Sequence, residues 1–243
     1  METTDGPADA AAATDAADAT DGLRERKKRQ TRAALSQATI ALSVERGWDG
    51  VRIEDIAAAV NVSERTFRNY FSGKAEAVAA THLDRMLRVA RALDERPAQE
   101  PLWESISASV QAEFTPAGGG GAGAAAPGRQ HTEAIWRVLS EPAVQGEVLR
   151  ADRAAQAVLA GAIGARTGTD PETDLYPKLV AASVGAAVGT ALSHWLRADP
   201  PVPLGPLIAE ALEQVTAGLP APSPAPASGS GSGSPPEPAP AEH

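Results

Sequence analysis

Residues 51–74, VRIEDIAAAVNVSERTFRNYFSGK, decide how the rest of the chain is read. Ile53, Ile56, Ala57 and Val60 fall at helical spacing and make one apolar face. Asn61 ends that helix, because it is among the few non-glycine types that tolerate the left-handed conformation a helix C-terminus often needs. Val62 fills the corner. Ser63 is placed to cap a second helix by accepting a backbone N–H bond. In that helix Phe67 and Phe71 stand one turn apart and face inward, which leaves Glu64, Arg65, Arg68 and Asn69 facing out. An apolar-backed helix with a polar, cationic outer face, set across a short turn, is the physical content of a helix-turn-helix, whose second helix fits a major groove. The competing reading is an ordinary helical hairpin with a solvated face.

Charge supports the first reading. The 243-residue chain carries a net charge of −9, but residues 24–91 hold 14 Lys/Arg and 8 Asp/Glu, net +6, against net −15 for the remainder. A basic lobe that approaches phosphate and an acidic lobe that need not do so fit that asymmetry. Just before the motif, residues 24–32 (RERKKRQTR) hold six bases and one acid. Such a run neutralises phosphates or lays an Arg in a minor groove, with Arg29 and Arg32 nearest the folded boundary.

Outward from the motif the layout is helical throughout. Residues 33–46 form a first full helix with Leu35, Ala38 and Leu42 on one side, ended by Gly47. Trp48 and Val51 pack into the small core. A long helix from Lys74 to about Glu95 joins the basic lobe to the rest. Further helices follow, separated by the glycine-rich stretch within residues 115–128 and by proline-rich links. Gly118, Gly120 and Gly123 satisfy GxGxxG, yet no strand precedes them, so a dinucleotide site is not expected. Residues 1–22, with six acids and no base, read as a disordered acidic tail, and residues 220–243 as a second disordered tail. Between them lie a helix-turn-helix domain (23–73) and a larger helical domain (74–219). The fold class expected is all-α.

With its flanks, the opening stretch resembles the DNA-binding domain of TetR-family transcriptional regulators. The matching elements are the basic arm, a first helix ending ERGWDGV, the IEDIAAAVNVS turn, TFRNYF, and Lys74 opening the next helix. Asn61 stands where the family usually has Gly, Arg52 where it usually has Thr, and Tyr70 where His is common. These departures bear on base preference and not on the fold. The motif similarity spans residues 24–78. TFRNYF, DERPAQEPLW and SEPAVQGEVL are similar to an actinobacterial branch that includes mycofactocin-type regulators, which implies a lipophilic or acyl effector. The resemblance also implies a homodimer on double-stranded operator DNA, with residues 74–219 as the ligand-binding and dimerisation domain for a small-molecule inducer that shifts the Lys74 helix and so respaces the two reading heads; the lack of Cys fits a cytoplasmic location.

The candidate base-reading residues are Arg65, Arg68 and Asn69, since Arg suits guanine and Asn suits adenine. Thr66 suits a thymine methyl or a phosphate. Arg52, Ser63, Tyr70 and Lys74 are expected on the DNA backbone. The ligand pocket expected in the C-terminal lobe draws on Leu87, Trp103, Ile106, Val110, Phe114, Trp136, Leu139, Leu159 and Val184. Residues 179–196 (LVAASVGAAVGTALSHWL) are too rich in Ser, Thr and Gly for a membrane span. Instead Gly185 and Gly189 permit close helix approach, and with Leu192 and Leu212 they suggest a dimer seam. No catalytic residue, metal site or cofactor is expected: the four His (82, 131, 194, 243) share no helix turn, and no GxSxG is present. The alternatives are a nucleoid-type DNA binder that senses no ligand and, further off, a helical small-molecule enzyme.

Overall fold

The computed structural model describes residues 7–114, 128–200 and 202–219. Every regular element among them is a helix: α1 (Pro7–Arg46), α2 (Ile53–Ala59), α3 (Glu64–Tyr70), α4 (Lys74–Asp94), α5 (Leu102–Phe114), α6 (Arg129–Ser140), α7 (Pro142–Thr167), α8 (Leu175–Arg197) and α9 (Leu204–Thr216). The all-α expectation holds. α1 is longer than its composition suggests: a tail was expected over residues 1–22, yet the backbone is helical from Pro7. Alanine is the strongest helix former and proline is tolerated in a first turn, so local preference alone carries the helix back through this segment. Residues 1–6, 115–127 and 220–243, where tails and the glycine-rich connection were expected, lie outside the described residues.

Three apolar clusters organise the chain. The first is the small core of α1–α4, built from Leu35, Val51, Ile56, Phe67, Phe71, Ala77 and Ala80. The second fills the bundle of α4, α5, α7, α8 and α9, from Met86 and Leu93 through Ile106 and Val110 to Ile208 and Leu212. The third sits between them, where Val78, Val138 and Val144 meet Ile40, Val44, Trp48 and Leu139. α4 contributes to all three clusters, so it is the shared beam of the molecule. Its first turns complete the small core and its last turns the bundle.

α8 is the one described helix long and apolar enough to cross a membrane by length and composition. It packs instead on α6, α7 and α9, burying Val180, Ala181, Val184, Ala187, Val188 and Ala191. At the corner between α4 and α5, Arg166 reaches over from α7. Its guanidinium donates to the carbonyls of Arg96 (3.2 Å), Pro97 (2.5 Å) and Glu100 (2.9 Å) and to Ser105 Oγ (2.8 Å). One side chain thus satisfies a loop whose carbonyls have no helical partner.

Candidate nucleic-acid interface

The turn between α2 and α3 closes by local rules. Asn61 adopts φ 57°, the left-handed region. The Asn61 N–H donates to Ala58 O (3.1 Å) and the Val62 N–H to Ala57 O (2.9 Å). This paired closure is a Schellman motif, which satisfies two carbonyls that the end of α2 would leave bare. α2 begins with the Arg52 N–H donating to the Asp55 carboxylate at 2.8 Å. α3 begins with Ser63 Oγ accepting from the Thr66 N–H at 3.1 Å, and the two hydroxyls lie 2.9 Å apart. Ser63 is therefore a cap, and Thr66 is partly committed to it.

Behind α3, Phe67 and Phe71 are buried, with ring centroids 5.6 Å apart and planes tilted by 55°. This pins the roll of a helix only seven residues long. With the aromatic face inward, Arg65, Arg68 and Asn69 are exposed, as are Arg52 and Ser63, while Tyr70 is half-buried beside Phe71. The basic run of residues 24–30, Arg29 among them, is also exposed and continues α1 as helix. The expected reading edge is thus brought together on one short helix.

Two expected backbone contacts are placed otherwise. Lys74 Nζ donates to the Trp48 carbonyl and to the Val51 carbonyl (3.0 Å), and it lies 4.2 Å from the Trp48 ring centroid. Burial pushes its pKa below the usual lysine range, against the opposing fields of Asp49 and Glu141. Lys74 therefore locks the start of α4 onto the loop after α1, because two orphan carbonyls and an aromatic face outcompete solvent for its ammonium. Arg32 is likewise occupied. It pairs with Asp84 of α4, and its guanidinium lies 5.2 Å from the Phe71 centroid. Neither residue was legible as an internal tie, since each partner lies 23 to 52 positions away.

The residues expected to line one ligand pocket have different surroundings in the fold. Ile106, Val110, Leu159 and Val184 are buried in the bundle core, with Trp103 and Phe114 half-buried at its edge. Leu139 belongs to the cluster between the lobes, and Leu87 to none of the three. Trp136 is exposed, in a groove of about 200 Å³ with Arg129, Leu196 and Asp199, under the Arg197 guanidinium at 5.1 Å. The expected dimer seam is also revised. Leu212 is fully buried within the chain, and Gly185 faces Asp152 and Gln156 of α7. Gly189 stays open and Leu192 half-buried. Among the described residues no group of three His, Cys, Asp or Glu is placed to hold a metal ion.

Residues 35–81 match the family model described as bacterial regulatory proteins, tetR family, and residues 100–220 match the MftR C-terminal domain. The chain is 34% identical to the HTH-type transcriptional regulator TcmR of Streptomyces glaucescens over 73% of its own length and 79% of that protein. It is 24% identical to the mycofactocin biosynthesis regulator MftR of Mycobacterium tuberculosis over 80% of its length and 93% of that protein. The solved structure of the fatty acid degradation regulator FadR from Bacillus halodurans superposes with a TM-score of 0.47 at 14% identity, covering 78% of this chain and 96% of that one.

Proposed function

The chain belongs to the TetR family of bacterial DNA-binding transcriptional regulators, and from that premise we propose a homodimeric, effector-responsive repressor acting on a palindromic operator in the cytoplasm. The observation that carries this reading is the outward edge of α3, where Arg65, Arg68 and Asn69 are exposed opposite buried Phe67 and Phe71. Arg65 and Arg68 read guanine and Asn69 reads adenine. Thr66 supplies a methyl contact, while Arg52, Ser63, Tyr70 and the exposed Arg29 hold the backbone.

The second copy docks on the outer face of α8. Leu175, Tyr176 and Leu179 are exposed there, and Gly189 further along leaves room for a close crossing. Two-fold symmetry then presents two α3 helices to half-sites about one helical turn apart or more. The effector enters the C-terminal bundle and is lipophilic or acyl in character. Because α4 is tied to α1 by Arg32–Asp84 and to the loop after α1 by Lys74, a tilt of α4 is transmitted to α3 and respaces the pair.

Selection from random duplex DNA by the full-length protein tests this reading. It is expected to enrich an inverted repeat carrying two protein copies per fragment in sedimentation. Enrichment of isolated half-sites, or of nothing, overturns it.

A further inference from the structure

Arg85, a cation of the bundle, makes no ion pair among the described residues. Arg85 is half-buried on α4, between buried Ala80 and buried Met86 and Val89. Its Nε is shut away from solvent with no hydrogen-bond partner. One turn earlier on the same face, Thr81 Oγ1 is buried and equally without a partner. The contact Arg85 does make is with Phe114, whose ring centroid lies 4.5 Å from the guanidinium carbon.

The neighbouring carboxylates are already in use. Glu113 accepts from Arg88 Nε at 2.8 Å, and Asp84 holds Arg32. Asp152 accepts from Gln156 at 2.7 Å and faces His82 Nε2 at 3.4 Å. Burial lowers the Arg85 pKa, and Arg88 adds repulsion that Glu113 only partly opposes. A guanidinium this enclosed is costly unless paired, and an unfilled donor is the part of the cost a ligand can remove.

We propose that Arg85 and Thr81 form the headgroup site for an anionic, otherwise apolar effector, held between α4 and the C-terminal end of α5. A carboxylate or a phosphate monoester supplies what is missing, accepting from the guanidinium fork and from the Thr81 hydroxyl. Phe114 and Trp103, both at the edge of the bundle core, form the wall for the apolar body. The headgroup shares or displaces the ring of Phe114, so binding strains the end of α5 against α4. The inference rests on the effector-responsive reading, and it narrows the effector from any lipophile to an acidic amphiphile.

Thermal shift and equilibrium binding on the full-length protein test it, with decanoate, decyl phosphate and neutral decanol as probes. Wild type is expected to gain stability with one or both acids and none with decanol; which acid binds separates carboxylate from phosphate. Arg85→Gln should weaken acid binding about ten- to a hundredfold, since a charge-assisted bond is lost. Arg85→Lys should recover part of it, and Arg137→Gln, a charge change at an exposed position of α6, should bind as wild type. Arg85→Gln should also melt no lower than wild type, as removal of a purely structural Arg would not allow. Decanol matching the acids, unaltered acid binding by Arg85→Gln, or no binding of either acid overturns the proposal. The DNA-binding reading is decided separately, by selection of an inverted repeat without any probe present.

Discussion

The helix-turn-helix lobe and the C-terminal bundle are held together in different ways. In the first, single residues have single jobs: Asn61 turns the chain, Ser63 caps α3, Phe67 and Phe71 set its roll, and Lys74 closes the loop. In the bundle, α7 and α8 are long runs of Ala, Val, Gly and Leu in which many faces are nearly equivalent. Mutual packing decides which face is buried. A lobe built on local rules presents a defined edge, whereas in one built on interchangeable small residues the few polar groups trapped inside stand out.

Breaking that contrast should cost most in the small core. Phe67→Ala is expected to destabilise by about 3–5 kcal/mol, against about 2 kcal/mol for the comparable truncation Ile106→Ala in the bundle, the low end of its range, because small neighbours can close on the gap. Denaturant titration of both variants measures the difference, and equal losses would remove the contrast. A smaller effect is expected at the turn. Asn61→Val forces a β-branched residue into the left-handed region, at a cost of about 1–2 kcal/mol, while Asn61→Gly should be neutral or slightly stabilising. Thermal melts of the two, side by side, test whether conformation rather than the amide group is what the site requires. Ser63→Ala should cost about 1 kcal/mol through the lost cap, visible as fraying of α3 in hydrogen exchange.

The smallest effect concerns pH and lies in the bundle. Arg96, and then Ser105, hold the Glu100 carboxyl down to about 2 from its ordinary 4.5. A lowered folded pKa means the native state releases this proton more readily than the unfolded chain does. The contribution is therefore fully present above about pH 4.5 and fades as pH falls toward 2. Because the pair is solvent-screened, the effect is slight. Acid titration of Glu100→Gln should show a flatter loss of stability across that window than wild type.

How much of this was legible in the sequence follows the same divide. α2, its left-handed exit, the cap of α3 and the buried aromatics were readable because each depends on residues within four positions of one another. Arg32 and Lys74 misled, because a basic residue beside a DNA motif looks alike whether it faces phosphate or a carbonyl far along the chain. In the bundle the helices were legible and the pocket was not. Ile106, Val110, Leu159 and Val184 have the same apolar character whether they line a cavity or fill it. Leu212 was expected at a dimer seam, yet it points inward, since the register of α9 against α5 and α8 is set by contacts no local pattern records. Arg85 left only a faint trace: a cation among buried neighbours, which spacing alone does not separate from a side chain whose tip reaches solvent.

The central claim is that the exposed edge of α3 reads bases while Lys74 serves inside the fold. Fluorescence anisotropy of wild type and Arg68→Ala, on a selected inverted repeat and on a scrambled duplex over a range of salt, tests it most directly. Arg68→Ala should lose about 1–3 kcal/mol on the repeat and far less on the scrambled duplex, relaxing preference at one base position. An equal loss on both duplexes, with a shallower salt dependence, would reduce Arg68 to a phosphate contact and contradict the account.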